Sequence, residues 1–199
     1  SIVAVLTAAS LAAVQVPSFI ATDAVDSMHQ PITPLQANIA VGQADADGVV
    51  SVVAGEHVDI LTVSELTVPA LHRLQTAGLQ AELPYWVLDP RGGGAGGGIW
   101  SRFPLTNYTA HPQFTVLIAG DFNATNDNVQ FRDLLRGGLV DARQAVGAGL
   151  VPTFPSDRAV PPILAIDHDL VEGVRADAVK AVDLPGSDHR GLLVRVTVP

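Results

Sequence analysis

The polar residues that end or interrupt apolar runs hold most of the chemistry in this sequence. Asn38 sits in LQANIAV, Glu65 follows VDILTVS, Asp121 and Asn123 follow FTVLIAG, Asp167 lies in ILAIDHDLV, and Asp188-His189 falls in GSDHRGLL. A carboxylate at the end of a buried strand is costly unless something pairs with it. A hard divalent cation would do so, taking one or two carboxylates and filling its other positions with water. Asp121 and Asn123 are two residues apart, so on an extended backbone both point to one face. Side by side there, an acceptor and an amide donor suit a water or a phosphoryl oxygen; an Asx turn capping the next helix is the alternative. Asp188-His189, beside Gly186 and Ser187, reads as a tight loop, and a histidine next to carboxylates is the usual general acid–base. Asp167 is suited to orient that imidazole and stabilise its charged form. The competing reading of this stretch is a solvated surface turn. Glu65 reads either as a metal ligand or as a cap for the helix after it, and Asn38 alone means little.

Other candidates carry less. His57, His72 and His168 read as surface or packing residues. The run Gly92–Gly98 has no Lys-Ser/Thr after it, which argues against a nucleotide P-loop; it reads as a mobile loop, with cover of the site as one role. Asp45 and Asp47 lack the remaining ligands of a calcium loop. No Gly-x-Ser-x-Gly elbow exists, which removes the commonest serine hydrolase reading. With 0 cysteines, thiol nucleophiles, disulfide scaffolds and Cys-based metal sites are excluded.

These residues need a scaffold of short elements to bring them together. The 199 residues suit one domain, and 18 Gly with 14 Pro between short apolar runs exclude long helical bundles. Strands are expected at Leu35–Val41, Val58–Ser64, Tyr85–Leu88, Ile99–Arg102, Phe114–Ala119, Ile163–Val171, Ala176–Val182 and Leu192–Val198. Helices are expected at Asp45–Glu56, Pro69–Ala77 and Asp127–Arg136. Strands outnumber helices, which predicts an α/β domain with two packed sheets and helices outside. A net charge of −9, with 11 Lys+Arg that form no cluster, offers a polyanion no general attraction. Residues 1–22 carry no charge and 23–34 read as a linker, leaving 35–199 as the domain. The uncharged stretch reads as the end of a membrane anchor, the remnant of an export signal, or a buried element. An Ala/Val/Leu mix without periodicity suits the first two better.

Taken in order, LQANIAVG, VDILTVSELT, GIWSRFPL, LIAGDFNAT, AIDHDLV and GSDHRGLLVRV resemble the endonuclease/exonuclease/phosphatase superfamily, over roughly residues 35–198. GDFN followed at suitable distance by ID and then SDH carries most of the likeness. More narrowly, the chain resembles actinobacterial members in which membrane-spanning segments precede an extracytoplasmic catalytic domain. The resemblance implies a DNase I-like two-sheet α/β sandwich and a divalent-metal-dependent phosphoester hydrolase. It implies Mg²⁺ or Mn²⁺ held by Glu65 with Asn38 and Asp188. Asp121 and Asn123 would position the attacking water and a phosphate oxygen, and Asp167 with His189 would form the acid–base pair. His111, in a His-Pro dipeptide, matches the family's phosphate-contacting histidine. One departure stands out: Thr106–Ala119 is shorter than the family's interval between SRFPL and GDFN. Either central strands are missing from the sheet or loop residues are missing from the chain. With an intact site, low positive charge favours a lipid or small phosphoester over long nucleic acid. The competing function is a catalytically degenerate member serving as an envelope binding or assembly module.

Overall fold

In the computed structural model the described residues are 31–105 and 115–198. Residues 1–22, most of the 23–34 stretch, and His111 lie outside them.

The first half of the chain builds a sheet and the helices that cover it. Strand β1 (Pro31–Ile32) is followed by β2 (Pro34–Asn38), all five of whose residues are buried. Ala40 and Val41 then take positive φ (50° and 53°), which ends the strand short of the expected Val41 and turns the chain into helix α1 (Ala46–Gly55). Asp45 caps α1 by accepting from Gly48 N, and Val49 and Val53 form its buried side. β3 (Ile60–Ser64) returns parallel to β2, with Asn38 opposite Ser64. Helix α2 (Val68–Thr76) is capped by Thr67, whose side chain accepts from Ala70 N, so Glu65 is not the cap. A short α3 (Leu79–Glu82) leads to β4 (Tyr85–Asp89) and β5 (Gly97–Ser101), an antiparallel pair joined through the glycine run.

The second half supplies the facing layer. β6 (Val116–Asp121) is followed by α4 (Val129–Leu135), capped by Asn128, and by β7 (Val140–Asp141) and α5 (Ala142–Ala145), neither of which the sequence pattern revealed. β8 (Asp167–Glu172) begins four residues later than expected, at the residue where its pairing with β6 ends (Asp121 opposite Asp167). β9 (Arg175–Val182) and β10 (Gly191–Thr197) form a long antiparallel pair that returns to the first sheet.

The larger sheet therefore runs β9–β10–β2–β3–β5–β4, with β1 beside the far end of β10, and the smaller runs β6–β8–β7. One apolar layer lies between the large sheet and helices α1–α3, where Leu35, Leu61, Val63 and Trp100 meet Val49, Val53 and Leu74. The other lies between the sheets, where Leu192, Val194 and Val196 meet Val171 and Leu117. This is the expected two-sheet α/β sandwich, and among the described residues its second sheet has three strands. β6 lies over β2 and β3, so the polar ends of β2, β3, β6 and β8 meet at one edge of the sandwich. No helix among the described residues is long and apolar enough to cross a membrane.

Candidate active site

Each functional side chain hangs from the end of a strand or from the turn just beyond one. Asp121 and Asp167 are directly paired at the end of β6 and the start of β8. His189 comes from the turn before β10, where Ser187 Oγ donates to Asn38 O (2.7 Å) and accepts from His189 N (3.1 Å), tying that turn to the end of β2. Ser187 is thus a supporting residue, hidden in the sequence as an ordinary turn serine.

His189 Nδ1 donates to Asp167 Oδ2 at 2.8 Å, and Asp167 is fully buried. With Nδ1 donating to a carboxylate, the lone pair of the neutral ring sits on Nε2. Nε2 is 3.8 Å from Asp121 Oδ2, and ligand-type atoms of Asp121, Asp167 and His189 all lie within 4.8 Å of one another. Burial alone would lower the His189 pKa, but the hydrogen bond to Asp167, with the charges of Asp167, Asp121 and Asp188, raises it above the ordinary value. Burial, joined by the charge of Asp167, pushes Asp121 up, against the opposing effects of Asn123 N–H, His189 and Asn38.

The amide of Asn38 organises the other wall. Its Nδ2 donates to Glu65 Oε1 and to Asp121 Oδ2, both at 3.1 Å, while its Oδ1 accepts from Ala40 N at 2.9 Å. In this arrangement Asn38 clamps two carboxylates rather than offering its oxygen to a metal. Glu65 Oε2 accepts from Val41 N at 2.6 Å. Asn123 N donates to Asp121 Oδ1 (2.8 Å) and Asn123 Nδ2 to Asp121 Oδ2 (3.2 Å). The Asx turn is therefore real, yet the helix cap is Asn128, and the two side chains do share a face. Glu65 (φ 62°) and Asn123 (φ 49°) occupy left-handed backbone, a strain that persists where surrounding contacts over-determine it.

Asn38, Ser64, Glu65, Gly94, Asp121 and Asn123 line a cleft of about 230 Å³ together with neighbouring glycines. The glycine run forms one rim. Leu66 N donates to Gly96 O and Arg91 N to Leu66 O, both at 3.0 Å, and a Cβ on Gly96 would stand 1.9 Å from Leu66 O. Only glycine permits that approach. Asp188 does not line the cleft; its charge acts on His189, and no described contact joins its carboxylate to Glu65 or Asn38.

One supporting group escaped the sequence reading. Asp141, fully buried, accepts from Arg143 Nη2 (2.8 Å) and meets His168 Nδ1 (2.7 Å). His168 Nε2 lies 2.8 Å from Ala124 O, the carbonyl just after Asn123, and the rings of Phe122 and Phe131 pack against the imidazole. The charges and hydrogen bonds of His168 and Arg143 outweigh burial and hold the Asp141 carboxyl below its ordinary range. The sequence left His168 as a surface or packing residue, and the structure buries it fully in this cluster. His57 and His72 are exposed, as expected.

The donor set fits a hard divalent cation. Glu65, Asp121 and Asp167 gather negative charge at one edge, and Asp167 Oδ1 is buried with no hydrogen-bond partner among the described residues.

Two packed sheets thus carry an imidazole–carboxylate couple and an acidic cleft at one shared edge. A model of the Endonuclease/Exonuclease/phosphatase family matches residues 35–189, and the chain belongs to that family. It is similar in structure to an endonuclease/exonuclease/phosphatase family protein from Bacteroides thetaiotaomicron, with 13% identity and a TM-score of 0.63 over 87% of this chain and 100% of that one. It is also similar to D. rerio TDP2 complexed with a single-strand DNA product (15% identity, TM-score 0.64, 85% of this chain and 100% of that one). A third likeness is to the Bacteroides thetaiotaomicron mannosyl-6-phosphatase Bt3783 (14% identity, TM-score 0.59, 83% and 99%). At such identities the likeness is one of fold. Among proteins of curated function, none matches this sequence.

Proposed function

We propose that this chain hydrolyses phosphoesters by attack of water, with Mg²⁺ or Mn²⁺ as cofactor. The observation that carries the reading is the His189–Asp167 couple at 2.8 Å, opening onto Asp121 beside a cleft that Glu65 and Asn123 also line. Glu65 and Asp121, oriented by Asn38, are the side chains that would hold the cation. When bound, it supplies positive charge against the phosphoryl oxygens. His189 Nε2 takes the proton of the attacking water, while Asp167 holds Nδ1–H and stabilises the imidazolium that forms. Asn123 Nδ2, already aimed at Asp121, is the donor for a phosphoryl oxygen that enters beside it.

The low positive charge supports a lipid or small phosphoester over long nucleic acid. The DNA product of TDP2 and the phosphatase named among the neighbours make single-stranded DNA and sugar phosphates the natural comparison substrates. The primary test is release of nitrophenol from bis-p-nitrophenyl phosphate with Mn²⁺ or Mg²⁺ and with chelator. Asp121→Ala and His189→Ala are each expected to lower the rate by about 10²-fold or more, the worth of a positioned acid–base group. Turnover at the wild-type level in both variants overturns the reading. Absence of any Mn²⁺ binding heat in calorimetry would identify the degenerate binding module instead.

A further inference from the structure

Between the two sheets, one step behind the cleft, lies a layer of polar side chains that the chemistry above does not use. Leu35 and Ala37 of β2 belong to the core under the helices, so Gln36 and Asn38 point the other way, toward the second sheet. On β8, Val171 packs with Leu192 between the sheets, and alternation puts Asp167 and Asp169 on that same face. Strand pairing orders the layer in rows. Asn38, Asp121 and Asp167 form the row at the cleft. Gln36, Ala119 and Asp169 stand two residues further in, about 7 Å along each strand. Leu117 and Val171 follow, with Leu192 paired to Gln36, and seal the layer with apolar groups. Gln36 and Asp169 are each 0% exposed. Gln36 Nε2 and Oε1, both carboxyl oxygens of Asp169, and Asp167 Oδ1 have no hydrogen-bond partner among the described residues. Buried polar groups are nearly always hydrogen-bonded, and where protein does not reach them ordered water does. Ala119, paired with Asp169, is small and leaves room beside that carboxyl.

We propose that Gln36 and Asp169 enclose a site for ordered water that hydrogen-bonds Asp167 Oδ1, and that both are positioning residues for the His189–Asp167 couple. The inference rests on the hydrolytic reading given above and extends its machinery inward. Asp167 Oδ2 already accepts from His189 Nδ1, so Oδ1 is the oxygen left for a second donor. Side chains two residues apart on one strand face start about 7 Å apart, the reach of one bridging molecule rather than of a direct bond. A buried water makes about three hydrogen bonds. It therefore serves Asp167 Oδ1, the Asp169 carboxyl and Gln36 Nε2 together. Held at both oxygens, the Asp167 carboxylate keeps one orientation, and the imidazole it aims stays directed at the cleft.

Crystals of the full chain with Mg²⁺ are expected to show, at high resolution, a water within hydrogen-bond distance of Asp167 Oδ1 and of Gln36 or Asp169. Gln36 Nε2 donating directly to Asp169 with no water between them, or a cation on Asp167 Oδ1, overturns the inference. Positioning is read separately. Gln36→Met keeps the volume and removes the amide. With Mn²⁺ it is expected to lower kcat for bis-p-nitrophenyl phosphate about tenfold, the usual worth of an outer partner, with KM changed less than about twofold. Asp169→Asn still bonds water and is expected to stay within about threefold of wild type, whereas Asp169→Leu falls with Gln36→Met. In proton NMR the Nδ1–H of His189 should broaden in Gln36→Met and Asp169→Leu but not in Asp169→Asn, a sorting by polarity that lost packing would not produce. Unchanged kcat with an unmoved Nδ1–H signal in Gln36→Met overturns the positioning role, water present or not. If the wild type hydrolyses nothing, the hydrolytic reading fails, while the crystal and NMR measurements still decide this one. Replacing both polar partners by apolar groups is close to neutral for folding. Should a single variant fail to fold, Gln36→Met/Asp169→Leu takes its place and is expected to lose both the water and the sharp signal; keeping both sinks the inference.

Discussion

His189 is the residue on which the chemistry turns, and its environment sets a sign that can be measured. The bond to Asp167 and the surrounding carboxylates raise its pKa above the ordinary 6.5 or so. A base must be neutral to accept a proton, so log kcat is expected to rise with pH as the His189 ring loses its proton. A profile that falls over that range would contradict the role. The same shift acts on stability. Because the folded pKa is raised, His189 contributes stability that is fully present below the unfolded value and lost as pH rises through the folded one. In metal-free protein the stability gap between wild type and His189→Gln should therefore shrink as pH rises through that window, as followed by urea unfolding.

At the scale of elements, strand ends deliver the reacting groups, while a buried cluster behind them holds the loop. His168 joins β8 to β7 through Asp141 and to the Asn123–Ala124 turn through the Ala124 carbonyl. Replacing it with leucine strips Asp141 of one partner and leaves that carbonyl without its imidazole. His168→Leu is expected to cost roughly 2–4 kcal/mol in urea unfolding, the range for breaking a buried polar network. It should also lower kcat more than it changes KM, because Asn123 loses its fixed position. An unchanged kcat would reduce His168 to a packing residue. Asp169 marks the limit of this buried polar zone: its carboxyl oxygens have no hydrogen-bond partner among the described residues. Burial, with the charges of Asp141 and Asp167, pushes its pKa well up against the opposing charge of Arg143.

The whole molecule concentrates negative charge at the joint of its two sheets. Asp121 and Asp167 stand together, and Asp121 is raised by burial and by its neighbour. Its ionisation at neutral pH therefore works against the metal-free fold, by the same sign rule as for His189. A divalent cation relieves that repulsion and binds only the folded chain. Mn²⁺ is thus expected to raise Tm in proportion to the logarithm of its concentration above Kd, checked by differential scanning calorimetry with chelator as control. Asp121→Asn should raise the Tm of the metal-free protein and blunt the response to Mn²⁺. An unaltered Mn²⁺ response in that variant would place the cation elsewhere.

What the linear order of residues could determine was local. Alternating and continuous apolar runs located most strands to within a few residues. Asp45 announced its helix, and GDFN, ID and SDH in succession carried the resemblance and the candidate residues, because these signals reside in neighbours along the chain. Tertiary structure decided what depends on distance between strands. Register brought Asp121 opposite Asp167, parallel pairing set Glu65 beside Asn38, and the Ser187 bond drew His189 to the same edge. It also left Asp188 out of the cleft lining, with its charge acting on His189, and turned the Asn38 oxygen toward Ala40 N. The Asp141–Arg143–His168 cluster was invisible beforehand for one physical reason. It is made by side chains that meet across strands or elements, and strand pairing, unlike helical periodicity, leaves no mark at a fixed spacing in the sequence.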